Sequence, residues 1–352
     1  MKKILVTLAL GFQLLAISHV KAQDPAFSQF YASPLLLNPA ILGASDDWRT
    51  SLCYRNQWGS VNSGYTDYDF NTSYPIYLKD EGSKIFVGLA LLDDKAGAYG
   101  LMNGYLSVGY NKELGDNQNV CLALYGGLGQ LAINTSGLTF DDQYVNGSYN
   151  ANTPTGEMGL SRSVMYPDAG FGFTWYMNPP REKSKFNAYA GISGFHLNEP
   201  NQTLNGGVAT LPIRMNYIAG IKIFESEKVE LSPNVMVCTQ GGNVIAAVGA
   251  YCYYNLKDDF KLTLGMWYRA NDAIPILIGV EYKGFELGYS YDMVTSTLNA
   301  YATGLNASEI TLAYNFARKK KDDSAPMIGS NTANNTGSQT TTTPGTFPFP
   351  EL

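Results

Sequence analysis

Few side chains in this sequence are suited to catalysis or to metal binding. It has two histidines, and one of them, His19, lies in the leader at the start of the chain. The other, His196, together with Ser193 on the same predicted strand face, would be the basis of a hydrolase, but no G-x-S-x-G nucleophile motif accompanies them. A single histidine cannot build a His-rich zinc site. We therefore expect no catalytic residue, no metal site and no cofactor, and a hydrolase is the weakest functional hypothesis.

The cysteines give a second chemical possibility, which is also weak. Cys53, Cys121, Cys238 and Cys252 each lie inside a strand-like run, and their wide spacing matches no zinc pattern. Disulfides form in exported proteins, whereas a cysteine in a strand also serves as a small apolar side chain. We favour the second interpretation, and the sequence leaves the state of the thiols open.

The composition favours an all-β protein. Only 15% of the 352 residues are charged, against about 25% in an average soluble domain, and the chain has 36 Gly and 25 Tyr. Scarce charge and abundant aromatics exclude disorder of the whole chain. Beyond the first 17 residues no segment approaches the run of about 20 apolar residues that a spanning helix needs. A soluble β-sandwich and a membrane β-barrel remain.

Residues 1–22 have the features of a secretory signal peptide. Lys2 and Lys3 precede an apolar core over 4–17, and cleavage after Ala22 is predicted. Cleavage would remove three of the 24 basic side chains and none of the 30 acidic ones, so the mature chain is more acidic than the net charge of −6 of the whole sequence. An acidic exported protein lacks the positive surface that nucleic acid requires, so we expect no such partner.

From residue 48 to residue 317 the chain divides into runs of about ten residues that alternate between apolar and polar positions. In 260–268, for example, every even position is apolar, which is the period of a strand and not of a helix. The predicted strands are 48–58, 65–77, 84–93, 100–113, 119–132, 168–178, 186–196, 212–224, 228–239, 244–255, 259–270, 275–283, 284–293 and 308–317. Their number is even, as in bacterial outer-membrane barrels.

The connections between these strands alternate in length and charge. Every second connection is short and charged, whereas three of the others are long, at 133–167, 197–211 and 294–307. Outer-membrane barrels have short periplasmic turns and longer extracellular loops. We therefore predict an antiparallel transmembrane β-barrel of about 14 strands over 48–317, in the outer membrane of a Gram-negative bacterium, with both termini periplasmic.

The segments that flank the barrel are different in character. Residues 23–47 combine apolar side chains with three prolines, which excludes a central strand. We expect them to form a plug in the lumen or at its periplasmic mouth. Residues 318–352 begin with a basic run and continue with Ser, Thr, Asn, Gly and Pro, which indicates a disordered periplasmic tail.

Both ends of the predicted mature domain resemble one protein family. Residues 23–44 followed by Tyr54-Arg55-Asn56-Gln57-Trp58 resemble the opening of the PorP/SprF family, which comprises outer-membrane proteins of the type IX secretion system of Bacteroidota, and 291–298 and 307–316 resemble its closing strands. The residues that carry the resemblance are Asp24, Pro25, Phe27, Ser28, Gln29, Asn38, Pro39, Ala40 and Gly43 in the N-terminal segment, Tyr54, Arg55, Gln57 and Trp58 in the first strand, and Glu309, Ile310, Leu312, Tyr314 and Phe316 in the last strand.

The resemblance implies a non-enzymatic role in exporting proteins with a type IX C-terminal domain or in holding them at the cell surface. Some members of the family are dedicated to large adhesins used in gliding motility. Others couple the outer membrane to periplasmic motor and ring components and to a peptidoglycan-binding lipoprotein. The expected partners are therefore outer-membrane lipid, such a cargo and these periplasmic components. The three long loops are the candidate cargo contacts, because loops on a rigid scaffold carry recognition.

A channel or transporter for small solutes is the alternative function. Charged side chains at predicted lumen positions would either line a pore or form ion pairs that fill a closed barrel, and we favour the ion pairs. These residues are Arg55, Asp67, Asp69, Arg214, Lys222, Lys261, Arg269, Glu286 and Asp292.

Overall fold

The computed structural model describes residues 24–59, 64–78, 83–115, 117–135, 138–150, 152–154, 163–177, 187–257, 259–296 and 306–316. The predicted signal peptide and the predicted C-terminal tail lie outside these residues, and so do the charged turn at 79–82 and most of the loop predicted at 294–307.

Fourteen long strands occur within the described residues. They are β1 (Trp48–Gln57), β2 (Tyr65–Tyr77), β3 (Ser83–Ala96), β4 (Tyr99–Gly115), β5 (Gln118–Ile133), β6 (Ser163–Met177), β7 (Asn187–Phe195), β8 (Arg214–Lys222), β9 (Val229–Gln240), β10 (Asn243–Lys257), β11 (Phe260–Arg269), β12 (Ala273–Tyr282), β13 (Phe285–Val294) and β14 (Ala307–Phe316). A two-residue strand, Phe224–Glu225, pairs with β9, and a separate small hairpin joins Tyr144–Val145 to Ser148–Tyr149.

The strands close into a barrel. Each pairs antiparallel with its neighbours in sequence, and β1 pairs with β14, where Trp48 lies opposite Phe316 and Gln57 opposite Ala307. Closure satisfies the backbone hydrogen bonds of every strand, which a membrane requires because lipid offers no partners. The predicted 14-stranded antiparallel barrel is confirmed.

The alternation of residue types is the alternation of the two barrel faces. Along β11, Leu264, Met266 and Tyr268 face outward and are exposed on the isolated chain, while Trp267 and Arg269 point into the lumen and are buried. The outward rows of leucine, isoleucine, tyrosine and methionine suit contact with lipid. Because one face needs lipid and the other is covered by the barrel itself, no second sheet is required.

One predicted strand start is wrong. The alternation predicts a strand over 168–178, but β6 begins at Ser163 and includes Pro167. Pro167 pairs with Leu128 of β5. On its other side β7 has already ended at Phe195, and the carbonyl of Pro167 accepts a hydrogen bond from the side chain of Asn198. A proline is tolerated there because no ladder partner needs its missing N–H.

The two ends of the barrel differ. We call the end that carries the connections 134–162, 196–213 and 295–306 the loop end, and the opposite end the turn end. The connections at the turn end are short, as between β10 and β11 or between β12 and β13. The first described residues of the chain are at the loop end, because Asp24 contacts His196, which directly follows β7.

Residues 24–47 occupy the lumen and descend from the loop end to the turn end, where β1 begins. They contain a 3₁₀ turn at Phe30–Ala32, the short helix α1 at Pro34–Leu37 and a 3₁₀ helix at Pro39–Ala44; a further 3₁₀ turn lies in a loop at Asp141–Gln143. Their apolar side chains form a buried core with inward aromatics of the wall, as where the rings of Phe30 and Trp267 meet at 4.7 Å. No helix in the described part of the chain is long and apolar enough to cross a membrane.

Candidate functional site

Several buried charged side chains meet in the lumen where the first and last strands pair. Arg55 of β1 and Glu309 of β14 are directly opposite in the strand register and form a buried ion pair. Asp292 of β13 joins them, 3.2 Å from Arg55 and 2.9 Å from Arg269 of β11. We call Arg55, Arg269, Asp292 and Glu309 the seam cluster.

The N-terminal segment completes the seam cluster. The carboxylate of Glu309 accepts hydrogen bonds from the backbone N–H groups of Ser28 (2.5 Å) and Gln29 (2.7 Å). The hydroxyl of Ser28 donates to Asp292 at 2.7 Å and accepts from Arg269 at 3.2 Å. Two guanidinium groups, two carboxylates and the segment therefore contact one another in a place where water has little access, and one oxygen of Asp292, Oδ1, has no hydrogen-bond partner there.

This arrangement makes the segment energetically important for the barrel. Leaving a buried acceptor without its hydrogen-bond partner costs about 1–3 kcal/mol, and more when the acceptor is charged. Glu309 is wholly buried and Arg55 nearly so. Losing Ser28 and Gln29 would therefore deprive the carboxylate of Glu309 of hydrogen bonds that the wall does not replace in this structure.

A second polar group, which we call the latch, holds the start of the segment at the loop end. The Nε2 atom of His196 lies 2.7 Å from the carboxylate of Asp24, and its Nδ1 atom lies 2.8 Å from the carboxylate of Asp168. Arg214 approaches the same oxygen of Asp24 at 2.7 Å and stacks over Phe195, 4.3 Å from the ring centroid.

The latch carries charge at neutral pH. Burial alone would lower the pKa of His196, but the carboxylate of Asp24 and hydrogen bonds with Asp168 and Asp24 outweigh it and raise this pKa to about 9. For Asp24, burial raises the pKa, but the charges of Arg214 and His196 and hydrogen bonds with His196 and Gln240 lower it well below its usual range. The imidazolium therefore lies between two carboxylates, and the latch is an ionic contact.

Asn38 anchors the middle of the segment. Its Oδ1 accepts from the N–H of Ala40 at 2.9 Å and so begins the 3₁₀ helix. Its Nδ2 donates to the carbonyl of Phe173 and to the hydroxyl of Thr174, at 3.0 and 3.1 Å. Gly172 allows this approach, because a Cβ atom there would lie 2.3 Å from Oδ1 of Asn38.

The segment leaves the lumen through a tight exit at the turn end. A Cβ atom on Gly43 would lie 2.5 Å from both the Cys121 sulfur and the Phe86 ring, so only glycine fits against this wall. Below it, Lys84 donates to the carbonyl of Ser45 at 2.7 Å and to Asp46 at 2.6 Å. The exit therefore combines close packing at Gly43 with the ionic contact between Lys84 and Asp46.

The residues that carry the family resemblance separate into three groups by location. Asp24, Ser28, Gln29, Asn38 and Gly43 of the segment and Arg55 and Glu309 of the wall make the contacts described above. Pro25, Phe27, Pro39 and Ala40 pack beside them, and Gln57 accepts from Arg55 at 3.2 Å. Tyr54, Ile310, Leu312, Tyr314 and Phe316 face outward, and Trp58 follows the end of β1.

The other predicted lumen charges form contacts within the wall. Lys222 pairs with Glu225 at 2.6 Å, and Glu286 pairs with Arg49 at 2.5 Å. Asp67 lies 4.0 Å from Arg55, and Asp69 accepts from Asn71. Lys261 pairs with Glu281 at 3.0 Å. Lys222, Lys261 and Glu286 therefore lie in ion pairs of the wall, whereas Asp69 has an amide partner.

Sequence reasoning missed several wall residues that bind the segment. Asp168, Asn216, Gln240, Lys84 and Asn111 all point inward, and each makes a hydrogen bond to the segment or to the latch. The available signal was a polar residue on the inward face of a predicted strand. That signal does not distinguish a wall residue that binds the plug from one that bonds to its neighbour.

The side chains considered for catalysis are occupied by structural contacts. Both ring nitrogens of His196 face carboxylates, and the hydroxyl of Ser193 donates to the carbonyl of Leu37 at 2.7 Å. The pair therefore does not form a dyad. All four cysteines are free thiols, and in the described part of the chain no three His, Cys, Asp or Glu side chains are grouped to hold a metal ion.

Comparison with known proteins identifies one family. Residues 19–314 match the family described as type IX secretion system membrane protein PorP/SprF. No curated protein has a significantly similar sequence.

Similarity to solved structures is distant. The toluene transporter TbuX of Ralstonia pickettii is 12% identical, with a TM-score of 0.48 over 81% of this chain and 94% of that one. A FadL homologue of Pseudomonas aeruginosa is 10% identical, with a TM-score of 0.47 over 80% and 93%. The translocator domain of the autotransporter NalP from Neisseria meningitidis is 9% identical, with a TM-score of 0.36 over 82% and 98%. At these values the likeness says nothing about what this chain binds.

The contact between Gly172 and Asn38 predicts that a side chain at 172 displaces the segment. We expect Gly172→Val to lower the stability of the plugged barrel by about 1–3 kcal/mol, the usual cost of overpacking, and to expose residues 24–47 to protease. Limited proteolysis and thermal unfolding in detergent measure both effects. Gly126→Val is the matched control, because a Cβ atom there has nothing within 4 Å. Equal behaviour of the two variants would refute the packing argument.

The latch predicts a pH dependence of stability. The pKa of His196 is raised from its unfolded value of 6.5 to about 9, so its contribution is complete below pH 6.5 and is lost as the pH rises towards 9. The expected loss is at most about 3 kcal/mol. Thermal midpoints of the wild type should fall over this range relative to those of His196→Gln. Parallel pH curves for the two proteins would contradict an ionic latch.

Proposed function

Because the chain belongs to the PorP/SprF family of type IX secretion system membrane proteins, we propose that it is a non-enzymatic outer-membrane barrel that supports the export or the surface anchoring of proteins with a type IX C-terminal domain, including gliding adhesins. Contact with periplasmic secretion and motor components, and with a peptidoglycan-binding lipoprotein, is part of the proposal.

The observation that carries the proposal is the filled lumen. Residues 24–47 run through the closed barrel, and their apolar side chains are buried against the wall from the loop end to the turn end. A barrel that works by conducting solutes would need a path through this space. A barrel that works as a scaffold needs no such path, so the burial of the segment in the lumen supports this role.

We assign the turn end to the periplasm, because outer-membrane barrels have short turns on that side. In this orientation Phe316 lies at the periplasmic end, and Asp24 lies in the lumen near the cell surface. If cleavage follows Ala22, the mature chain begins one residue before Asp24, so this orientation conflicts with a periplasmic N-terminus. The C-terminal tail belongs to 317–352, outside the described residues, and its periplasmic location remains a prediction. The charged turns and the basic run after β14 are the surfaces that we propose for periplasmic partners.

The loop between β5 and β6 is the strongest candidate for cargo contact. Its small hairpin turns through Asn146 and Gly147, which have φ values of 53° and 83°. The base of the hairpin is ordered by Gln143, whose side chain accepts from the N–H of Phe140 and whose carbonyl accepts from the N–H of Asn150. Tyr144 and Tyr149 project from this base, with ring centroids 5.8 Å apart.

The exposed chemistry of the loop end suits a protein partner with an apolar centre and a basic rim. Tyr144, Val145 and Tyr149 are exposed, and tyrosine on an ordered loop provides contact area at little cost in conformational entropy. The described connections at this end contain the acidic side chains Asp141, Asp142, Glu199 and Asp272 and no lysine or arginine. The charge of Asp141, Asp142 and Glu199 would attract a basic partner surface, whereas Asp272 is paired with Arg269.

A solute channel or transporter is the alternative, and conductance separates it from the scaffold. We expect wild-type protein in planar bilayers to show no steady open conductance, because the segment fills the lumen. Gly172→Val should show openings in the same experiment. A steady open pore in the wild type would favour the transporter and contradict the scaffold.

The loop hypothesis predicts that cargo display depends on the two exposed tyrosines. We expect the double variant Tyr144→Ser and Tyr149→Ser to insert normally but to reduce surface-retained cargo at least several-fold, because apolar contact area is lost. Surface proteomics of intact cells measures retention, and heat-modifiable gel mobility measures insertion. The double variant Tyr144→Phe and Tyr149→Phe keeps the rings and should retain cargo. Normal display after replacement of all three long loops by Gly-Ser linkers would refute the proposed role of the loop end.

A further inference from the structure

The wall of the barrel binds the main chain of the N-terminal segment. At the loop end, Glu309 accepts from the backbone N–H groups of Ser28 and Gln29, and the side chain of Gln240 accepts from the N–H of Asp24 at 3.0 Å. These contacts depend on the peptide group and not on the side chain that it carries.

The same kind of contact continues through the middle of the lumen. The hydroxyl of Ser51 donates to the carbonyl of Ala32 at 2.7 Å, and Arg214 donates to that of Leu36 at 2.9 Å. The carbonyl of Leu37 accepts from both Ser193 and Asn216, each at 2.7 Å.

Main-chain contacts also occur at the exit. Asn111 donates to the carbonyl of Gly43 at 3.3 Å, and Lys84 donates to that of Ser45 at 2.7 Å. The segment forms no ladder with any strand, and its own backbone bonds are confined to single turns, such as that from the N–H of Asn38 to the carbonyl of Pro34.

This pattern is that of a receptor for a peptide. In peptide-binding proteins, main-chain hydrogen bonds supply affinity and a few side-chain pockets supply specificity. Here the side-chain anchors are the carboxylate of Asp24 in the latch, the hydroxyl of Ser28 in the seam cluster and the amide of Asn38. The inward side chains that contact the backbone of the segment come from several strands of the wall, namely β1, β3, β4, β7, β8, β9 and β14, so no single strand forms the receptor.

We propose that the lumen is a polypeptide-binding site and that residues 24–46 are its tethered, exchangeable ligand. The class of ligand is a proline-containing apolar peptide in single helical turns, with a carboxylate at its loop-end terminus and an amide at the position of Asn38. This inference is independent of which cargo the protein serves, because it concerns the interior of the barrel and not its loops.

The link between residues 24–46 and β1 offers a place to separate the ligand from the receptor after folding. The side chain of Asp46 is 68% exposed at the turn end, and β1 begins two residues later, at Trp48. A protease site inserted between Asp46 and Asp47 in the full chain leaves the barrel strands unbroken. The protein can then be folded intact, cleaved in detergent and examined.

The experiment is exchange of the cleaved segment for a fluorescent synthetic peptide of residues 24–46. We expect saturable binding of one peptide per barrel, with the barrel still folded by heat-modifiable mobility. Unlabelled peptide should compete, and a scrambled peptide of the same composition should not. No exchange in a folded barrel, unfolding of the barrel on release, or equal competition by the scrambled peptide would each overturn the proposal.

Two changes test recognition of the main chain. A peptide methylated on the backbone nitrogen of Gln29 lacks the N–H that Glu309 accepts, and should bind the wild-type barrel about tenfold or more weakly. Glu309→Gln should weaken binding of the unmodified peptide similarly. Glu230→Gln is the matched control, since Glu230 is a buried lumen glutamate near Lys222 at 3.9 Å. Unchanged affinity of the methylated peptide would contradict the proposed recognition, even if Glu309→Gln fails to fold.

Discussion

The ion pair between Arg55 and Glu309 connects the three parts of the molecule that must come together. It joins the first strand to the last, because the two residues are register partners across the seam. It also binds the plug, because the same carboxylate accepts the backbone N–H groups of Ser28 and Gln29. A buried ion pair is stable only when its remaining hydrogen-bonding capacity is satisfied. The same carboxylate therefore contributes both to closure of the barrel and to binding of the segment.

The membrane explains why such a pair lies inside. Lipid excludes charge from the outer face and excludes open strand edges altogether, so the sequence places polar side chains at the inward positions of a closed wall. Barrels of about eight strands can fill their interior with side chains alone. A 14-stranded barrel encloses more space, and residues 24–47 fill it with buried groups such as Leu35, Ile41 and Phe30. The segment is thus part of the interior that a wall of this circumference needs.

The sequence predicts the barrel well because the responsible physics is local. Alternation of apolar and polar residues follows from the two faces of a strand, and connection length follows from which end of the barrel a loop occupies. The latch was not predictable in this way. Its residues Asp24, Asp168 and His196 are distant in the chain, and their meeting depends on how deeply the segment enters the lumen. The start of β6 was missed for a similar reason, since Pro167 is acceptable only because the neighbouring strand has already ended.

The placement of the motif residues gives a physical meaning to a resemblance that is concentrated at the two ends of the chain. An N-terminal segment, a first strand and a last strand would share no purpose if the segment lay outside the barrel. Inside it, Ser28, Arg55 and Glu309 touch one another. Asn38 fits against Gly172 and the carbonyl of Phe173, and Gly43 fits against Cys121 and Phe86 because it has no side chain. The middle strands complete the wall around this contact and face lipid with any apolar residue of suitable size. The motif residues at the two ends of the chain therefore serve a single requirement, which is to hold one polypeptide segment in a closed lumen.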